Sequence, residues 1–324
     1  MTDAYIRAIE YYLPEKVLTN NELESLFPEW TSEKIFAKLG IERRHISGSD
    51  ESASDMAVKA AEKLFSRNEF IRREDIDFIL FCTQSPDYKL PSSACIIQDR
   101  LGIPKNCGAF DFDLGCSGYI YGLALAKGLI LSGTAKNILF LTGETYTKYL
   151  AEDDKSCRTL FGDGASASVI SSEGSDLSLS SAGIRIGEFV LGTDGRGAKD
   201  LIVKTRSGGG GTIFMDGGNI FAFTLSVVPG LVRDVIAKNS VESESVSMYL
   251  MHQANRFMLE SLRRKMKIPQ EKFFMDIREG NTVSNTVPIA LKTALDAKRI
   301  TPGSVVIAAG FGVGLSWGGC ALFL

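Results

Sequence analysis

Short apolar runs bounded by Gly, Asp or Ser recur at residues 78–83, 109–113, 138–143, 165–171, 247–252, 304–310 and 320–324, and each predicts a buried strand. Between them apolar positions repeat at helical spacing over 53–68, 92–101, 118–132, 221–238, 255–266 and 288–298. Strands alternating with helices predict a layered α/β fold. The order also repeats. A strand at 76–83 leads through a helix, a turn at Gly115, a second helix and a strand at 137–142 to Phe161-Gly162-Asp163-Gly164-Ala165. A strand at 246–252 leads through the same succession, with Gly280 at the turn and a strand at 304–309, to Leu315-Ser316-Trp317-Gly318-Gly319-Cys320. Residue identities do not match, so two unrelated α/β halves are the alternative; order and spacing favour a duplicated plan, divided at 1–172 and 173–324. Equivalent loops of the two halves would then converge on one site.

Composition narrows the classes. The 324 residues, 44% hydrophobic and 23% charged, suffice for a sizeable core without disulfide or metal staples. Lys and Arg number 36 against 39 Asp and Glu, a net charge of −3 that gives no global reason to bind nucleic acid. The apolar runs 76–82 and 305–315 are too short or too glycine-broken to cross a bilayer. The first twelve residues carry charges and lack the apolar core of a secretory signal, so a cytoplasmic protein is expected. Six cysteines (Cys82, Cys95, Cys107, Cys116, Cys157, Cys320) form no C-x-x-C pair and read as free thiols. With only His45 and His252 and no ligand spacing, no metal site is expected.

Cys116 stands in Asp113-Leu114-Gly115-Cys116-Ser117-Gly118, where a strand ends, glycine permits a sharp turn and a long apolar helix begins. Unpaired N–H groups at a helix start favour a thiolate, and the flanking glycines would leave a substrate room to approach. The competing reading is a small buried thiol packing at a strand–helix junction. His252, in Met251-His252-Gln253-Ala254-Asn255, ends an apolar strand just before a helix, where α/β folds build their sites. His45, among Arg43 and Arg44, reads as ordinary surface. Asn281, in Glu279-Gly280-Asn281-Thr282, falls at the turn equivalent to that of Cys116; it is a turn or cap residue, or an amide donor aimed at the same site. Gly310-Phe311-Gly312-Val313-Gly314 can offer backbone N–H groups to an oxyanion but is not a nucleotide fingerprint, and the glycine run at 208–211 reads as a surface loop.

Taken together, Gly-Cys116-Ser-Gly, His252-Gln-Ala-Asn and Gly-Asn281-Thr resemble the Cys-His-Asn triad of the β-ketoacyl-acyl-carrier-protein synthase III family. Gly40-Ile41-Glu42-Arg43-Arg44-His45-Ile46, the Phe161–Ala165 motif and the glycine turn at 310–318 extend the likeness over nearly the whole chain. The resemblance implies a thiolase-like, five-layered αβαβα fold built from two similar halves, normally a homodimer. It implies a decarboxylating Claisen condensation. An acyl group from acyl-CoA or acyl carrier protein is loaded onto Cys116, then extended by malonyl-acyl carrier protein, with no permanently bound cofactor. His252 and Asn281 would hold the enolate oxygen, and the N–H groups of Cys116 and Val313 the tetrahedral oxyanion. Phe161 and Leu90 would line the acyl pocket. Leu90 stands where many members place a phenylalanine that closes this pocket across the dimer, so a longer or differently shaped acyl group is expected.

Substrate-binding positions carried over from the family are Lys34, Lys155, Phe221, Ala254, Asn255, Arg256, Arg264 and Lys265. Lys34 and Lys155 replace the tryptophan and arginine with which initiating enzymes sandwich adenine, which makes a carrier-protein donor credible beside coenzyme A. The basic residues after His252 suit an acidic carrier, or else simply favour a helix C-terminus. Two other functions are compatible with the fold. One is an acyltransferase that moves the group to an alcohol or amine without decarboxylation; the other, disfavoured by the intact triad, is a non-catalytic partner subunit.

Overall fold

A computed structural model of the chain describes residues 3–172, 183–205 and 211–324. Its main sheet has ten strands in two halves of the same design. The first half contains β1 (Ala4–Tyr12), β4 (Phe78–Cys82), β5 (Gly108–Phe112), β6 (Asn137–Glu144) and β7 (Gly164–Ser172), after a small ribbon of β2 (Val17–Thr19) and β3 (Arg43–His45). The second contains β8 (Ile184–Thr193), β11 (Met248–Met251), β12 (Phe273–Phe274), β13 (Val305–Gly312) and β14 (Ser316–Phe323), with a hairpin of β9 (Leu201–Thr205) and β10 (Gly211–Met215) inserted. Strand order is β5-β4-β6-β7-β1 in one half and β12-β11-β13-β14-β8 in the other. In each half the first three strands are parallel and the last two antiparallel, so the duplication suspected from element order is present strand for strand. β1 and β8 join the halves through Tyr5↔Arg185 and Ile6↔Ile184. The expected division after residue 172 abuts residues 173–182, which lie outside the described residues, as does most of the 208–211 glycine run.

Alternating side chains on the strands sort the molecule into five layers. Ile79, Phe81, Leu139 and Leu141 meet the outer helices α3 (Ala53–Arg67) and α4 (Ser93–Arg100) of the first half. Their neighbours Leu80, Ile138 and Phe140 turn the other way, onto α5 (Gly118–Leu131) and α9 (Thr286–Asp296). The same two helices are covered from the far side by Leu250, Val306, Ala308 and Leu322 of the second half, with Cys320 fully buried among them. Beyond that sheet, Met251, Ile307 and Ala309 face α7 (Gly217–Lys238) and α8 (Arg256–Lys265). Among the described residues only α7 is long and apolar enough to cross a bilayer by length and composition, a stretch longer than either run weighed from the sequence. Here Val228, Leu231, Val232 and Val235 bury its face in the core.

Seven strands and six helices stand where the hydrophobic pattern puts them, to within a few residues. The pattern did not show β1, although it is central. Arg7 and Glu10 break its apolar run, yet both are buried: Arg7 donates to Ser171 Oγ at 2.7 Å, and Glu10 pairs with Lys63 and Arg67 at 3.1 Å each.

Close packing of α5 on β6 relies on one missing side chain. A Cβ at Gly122 would lie 2.0 Å from Phe140 Cζ, and that ring is held in stacks with Tyr119 and Phe112 at 5.2 and 6.2 Å. Gly122→Val should therefore lower stability by about 3 kcal/mol through overpacking. The expected reading is a lower urea midpoint at unchanged slope; an unchanged midpoint would show that the ring yields freely.

Candidate active site

Cys116 lies two residues before α5, in a turn closed by the Gly118 N–H donating to Gly115 O at 2.8 Å. The second half comes very close to it. A Cβ at Gly310 would lie 2.6 Å from Cys116 O, and one at Gly312 would lie 3.0 Å from the sulfur, so only glycine admits β13 at this distance. Ser117 Oγ and Ser316 Oγ, 2.7 Å apart, tie the helix start to β14. The glycines flanking Cys116 serve packing rather than substrate access. Gly115 makes way for Val313 Cγ1 and Gln84 Oε1, and Gly118 for Cys82 Sγ.

Cys116, His252 and Asn281 line one cavity of about 80 Å³ with Phe161, Phe311 and Gly312. All three are nearly inaccessible, at 5%, 3% and 3% exposure. Electrostatics corrects one expectation. Burial pushes the Cys116 thiol up to about 12, helped by the Glu144 carboxyl, so the helix start does not leave a resting thiolate. The N–H groups of Cys116 and Val313 are directed at the sulfur and pull the other way, but less strongly. Burial likewise pushes His252 down to about 3, leaving a neutral imidazole. Its Nδ1 lies 2.6 Å from Thr286 Oγ1 and its ring stands edge-on to Phe311 at 5.7 Å. Thr286 Oγ1 in turn donates to Val283 O at 3.2 Å, which makes Nδ1 the protonated nitrogen and frees Nε2 as an acceptor.

Asn281 is held by the first half. Its N–H donates to Leu160 O at 2.9 Å, its carbonyl accepts from the Gly162 N–H at 3.0 Å, and it bridges Phe161. Gly280 takes φ +82°, and a Cβ there would crowd Arg44 and Leu160 O. Asn281 Oδ1 accepts from the Val283 N–H at 2.9 Å, leaving its NH₂ group to the cavity. The preceding Glu279 binds Arg43 at 2.6 Å and His45 Nε2 at 2.8 Å. Burial opposes its ionisation, but these two partners outweigh it and hold the carboxyl at about 2. His45 is therefore not ordinary surface: it anchors the Asn281 loop. Arg44, fully buried, donates to Thr159 O and Asn20 Oδ1.

The carried-over binding positions separate. Phe161, Ala254 and Asn255 line the Cys116 cavity together with Gly217, Ile220 and Thr224 of α7 and Met258 of α8. Phe221 of α7 stacks on Phe257 of α8 at 5.1 Å. Arg256 lies over Phe36 of α2 (Ser32–Leu39), and Arg264 pairs with Glu260 at 3.6 Å. Lys155, at the start of α6 (Lys155–Arg158), meets Glu29 at 2.7 Å, while Lys34 donates to the Glu29 carbonyl and lies near the Trp30 ring. Lys265 points elsewhere. It lines a separate cavity with Pro229, Tyr249 and Ile268, because the turn of α8 carries it away from the Cys116 cavity. Leu90 is 82% exposed and lines none of the cavities described here.

Sequence reasoning missed Thr286, Glu144, Gln84 and Tyr146, which carry no motif and are recognised only by what they touch. Glu144 is fully buried behind the site. It accepts from the Gln84 N–H at 3.1 Å, Ser85 Oγ at 3.2 Å and Ser284 Oγ at 2.9 Å, so it ties the loop after β4 to that of Asn281. Among the described residues no cluster of His, Cys, Asp and Glu could hold a metal, and the six cysteines are free.

Two repeated α/β halves closing on one buried cysteine are the architecture of the thiolase-like condensing enzymes. Comparison with known proteins agrees. The families described as 3-oxoacyl-[acyl-carrier-protein (ACP)] synthase III and its C-terminal region match residues 110–195 and 236–324. A β-ketoacyl-[acyl-carrier-protein] synthase III of Bacillus pumilus is 37% identical over 321 residues, 99% of this chain and 98% of the relative. One of Clostridium perfringens is 34% identical over the full length of both. A solved 3-oxoacyl-(acyl-carrier-protein) synthase III superposes with a TM-score of 0.92 at 45% identity, covering 99% of this chain and 100% of the other. The chain belongs to the β-ketoacyl-[acyl-carrier-protein] synthase III family.

Burial raises the Glu144 carboxyl to about 8 against the pull of its three donors. Folding therefore takes up a proton between the ordinary carboxylate range and about pH 8, and stability should fall as pH rises across that window. Melting temperatures of the wild type and Glu144→Gln between pH 5 and 9 check this. The decline should flatten in the variant; an equal slope in both would place the titration elsewhere.

Proposed function

We propose that the chain is a decarboxylating condensing enzyme: it loads an acyl group from acyl-CoA or acyl carrier protein onto Cys116 and extends it with malonyl-acyl carrier protein. The observation that carries this reading is the shared cavity of Cys116, His252 and Asn281, with two N–H groups already aimed at the sulfur.

Loading starts from a neutral thiol and a neutral imidazole. His252 Nε2 takes the thiol proton as the sulfur attacks the thioester carbonyl. The Cys116 and Val313 N–H groups stabilise the tetrahedral oxyanion, and the departing thiolate of the donor takes the proton back. In the second half-reaction malonyl thioester loses carbon dioxide. Its enolate oxygen is held by the Asn281 amide and by His252. To donate, His252 exchanges its Nδ1 proton for one on Nε2 with the water of the open site, a tautomer favoured once the Thr286 hydroxyl turns from Val283 O to donate to Nδ1. The enolate carbon then attacks the acyl carbonyl and Cys116 leaves as thiolate, to be reprotonated.

The pantetheine arm of the donor enters between α7 and α8, beside the Phe221–Phe257 stack. Arg256 and Arg264 face the acidic carrier protein. The acyl chain lies past Phe161, in the neighbouring cavity of about 370 Å³ bounded by Tyr146, Leu201 and Val313. β5 ends the sheet with an open edge, and Phe110, Tyr88 and the projecting Leu90 are exposed near it. A second copy covers this face and brings its Leu90 towards the acyl cavity.

Asn281→Ala should slow condensation about 100-fold, the usual cost of one lost oxyanion donor, while sparing acyl loading. Intact mass of Cys116 after incubation with donor reads loading, and β-ketoacyl product reads condensation. Equal losses in both steps would contradict the role given to Asn281.

A further inference from the structure

The acyl cavity is not uniformly apolar. Ala198, Leu201, Ile202, Val203 and Ile213 line it, but so do Gln84, Tyr146 and the exposed Asp113. These three form a single hydrogen-bonded chain. The Tyr146 hydroxyl donates to Gln84 Oε1 at 2.6 Å, and Gln84 Nε2 donates to Asp113 Oδ1 at 2.8 Å. Position is fixed as firmly as chemistry. A Cβ at Gly115 would lie 2.6 Å from Gln84 Oε1, so the amide packs against the residue preceding Cys116. The Gln84 N–H is held by Glu144, and Tyr146 is wedged against Phe161 at 5.3 Å. Burial and the neighbouring Glu144 keep the Tyr146 phenol protonated, well above its ordinary range, so its hydroxyl stays a donor.

Each member of the chain keeps capacity to spare. Gln84 has a second N–H and a second carbonyl lone pair, and Tyr146 has its oxygen lone pairs. A plain alkyl group entering here would strip water from the Gln84 amide and the Tyr146 hydroxyl without replacing it. A hydroxyl would both accept from the amide and donate back to it. A carboxylate would be repelled by Asp113. The distance along the chain also matters: a partner for Gln84 must sit within a few bonds of the thioester carbonyl, not at the far end.

We infer that the acyl group this enzyme prefers bears a hydroxyl near its thioester carbonyl, recognised by Gln84 with Tyr146 and Asp113. This rests on the reading of Cys116 as the acylated residue and of the adjoining cavity as the acyl site. The Gln84 amide is a specificity determinant and takes no part in the bond-making steps.

Loading of Cys116 from paired thioesters of coenzyme A tests this: butyryl against 3-hydroxybutyryl, and acetyl against glycolyl, read by intact mass as kcat/KM for the adduct. The hydroxylated member of a pair should load about tenfold faster or better, the worth of one net hydrogen bond. Gln84→Leu should bring that ratio close to one, and Tyr146→Phe should reduce it. Because the readout is a ratio within one preparation, partial misfolding of a variant does not imitate the result. Equal or faster loading of the alkyl partner by the wild type, or a ratio unchanged in Gln84→Leu, would overturn the inference. If no donor of either kind marks Cys116, the loading reading itself falls, and the inference with it.

Discussion

The backbone of β13 reaches the Cys116 turn at a distance that any side chain would forbid. Gly310 faces the Cys116 carbonyl and Gly312 the sulfur, and a Cβ at either would overlap the nucleophile's own atoms. That approach sets the rest of the site. It brings the Val313 N–H onto the sulfur, seats Phe311 against the His252 ring and lets Ser316 meet Ser117. The two halves are thus not merely packed together. They share a backbone contact at the point where the chemistry happens, and the site cannot exist in either half alone.

A second junction holds the donor groups. Asn281 belongs to the second half by sequence but is bonded to Leu160, Phe161 and Gly162 of the first. Arg43 and His45 hold Glu279 two residues earlier, and Glu144 holds Ser284 three residues later. A carboxylate on one side and a carboxyl on the other pin the loop. The energetic cost of burying such groups is met by full sets of partners, and what it secures is position rather than stability. Burial also explains why both reactive groups rest neutral. Charge appears only during turnover, where the N–H groups and the Asn281 amide are already in place to receive it.

Much of this was legible in the sequence. Cys116 and His252 each lie between a strand and a helix, Asn281 follows the glycine of the equivalent turn, and the repeated order of elements foretold that they would converge. What stayed hidden has a common cause. β1 and β8 carry Arg7, Glu10, Arg185 and Glu188 among apolar residues, so their periodicity is broken although β1 lies at the centre of the sheet. The resting state of Cys116 was misjudged for a related reason. A helix start can be read from the chain, whereas burial from the other half cannot, and burial is the stronger effect here. Gln84, Glu144, Tyr146 and Thr286 matter through their neighbours, and neighbours distant in sequence leave no local pattern.

Carbon dioxide is the product that separates condensation from simple acyl transfer on this fold. The most direct test is to isolate enzyme acylated at Cys116, add malonyl-acyl carrier protein labelled in the free carboxyl, and count label released as carbon dioxide per acyl group lost. The account predicts one carbon dioxide for each acyl group, with both lost together and β-ketoacyl carrier protein formed. Acyl groups leaving Cys116 for another acceptor while the label stays on the malonyl group would contradict it.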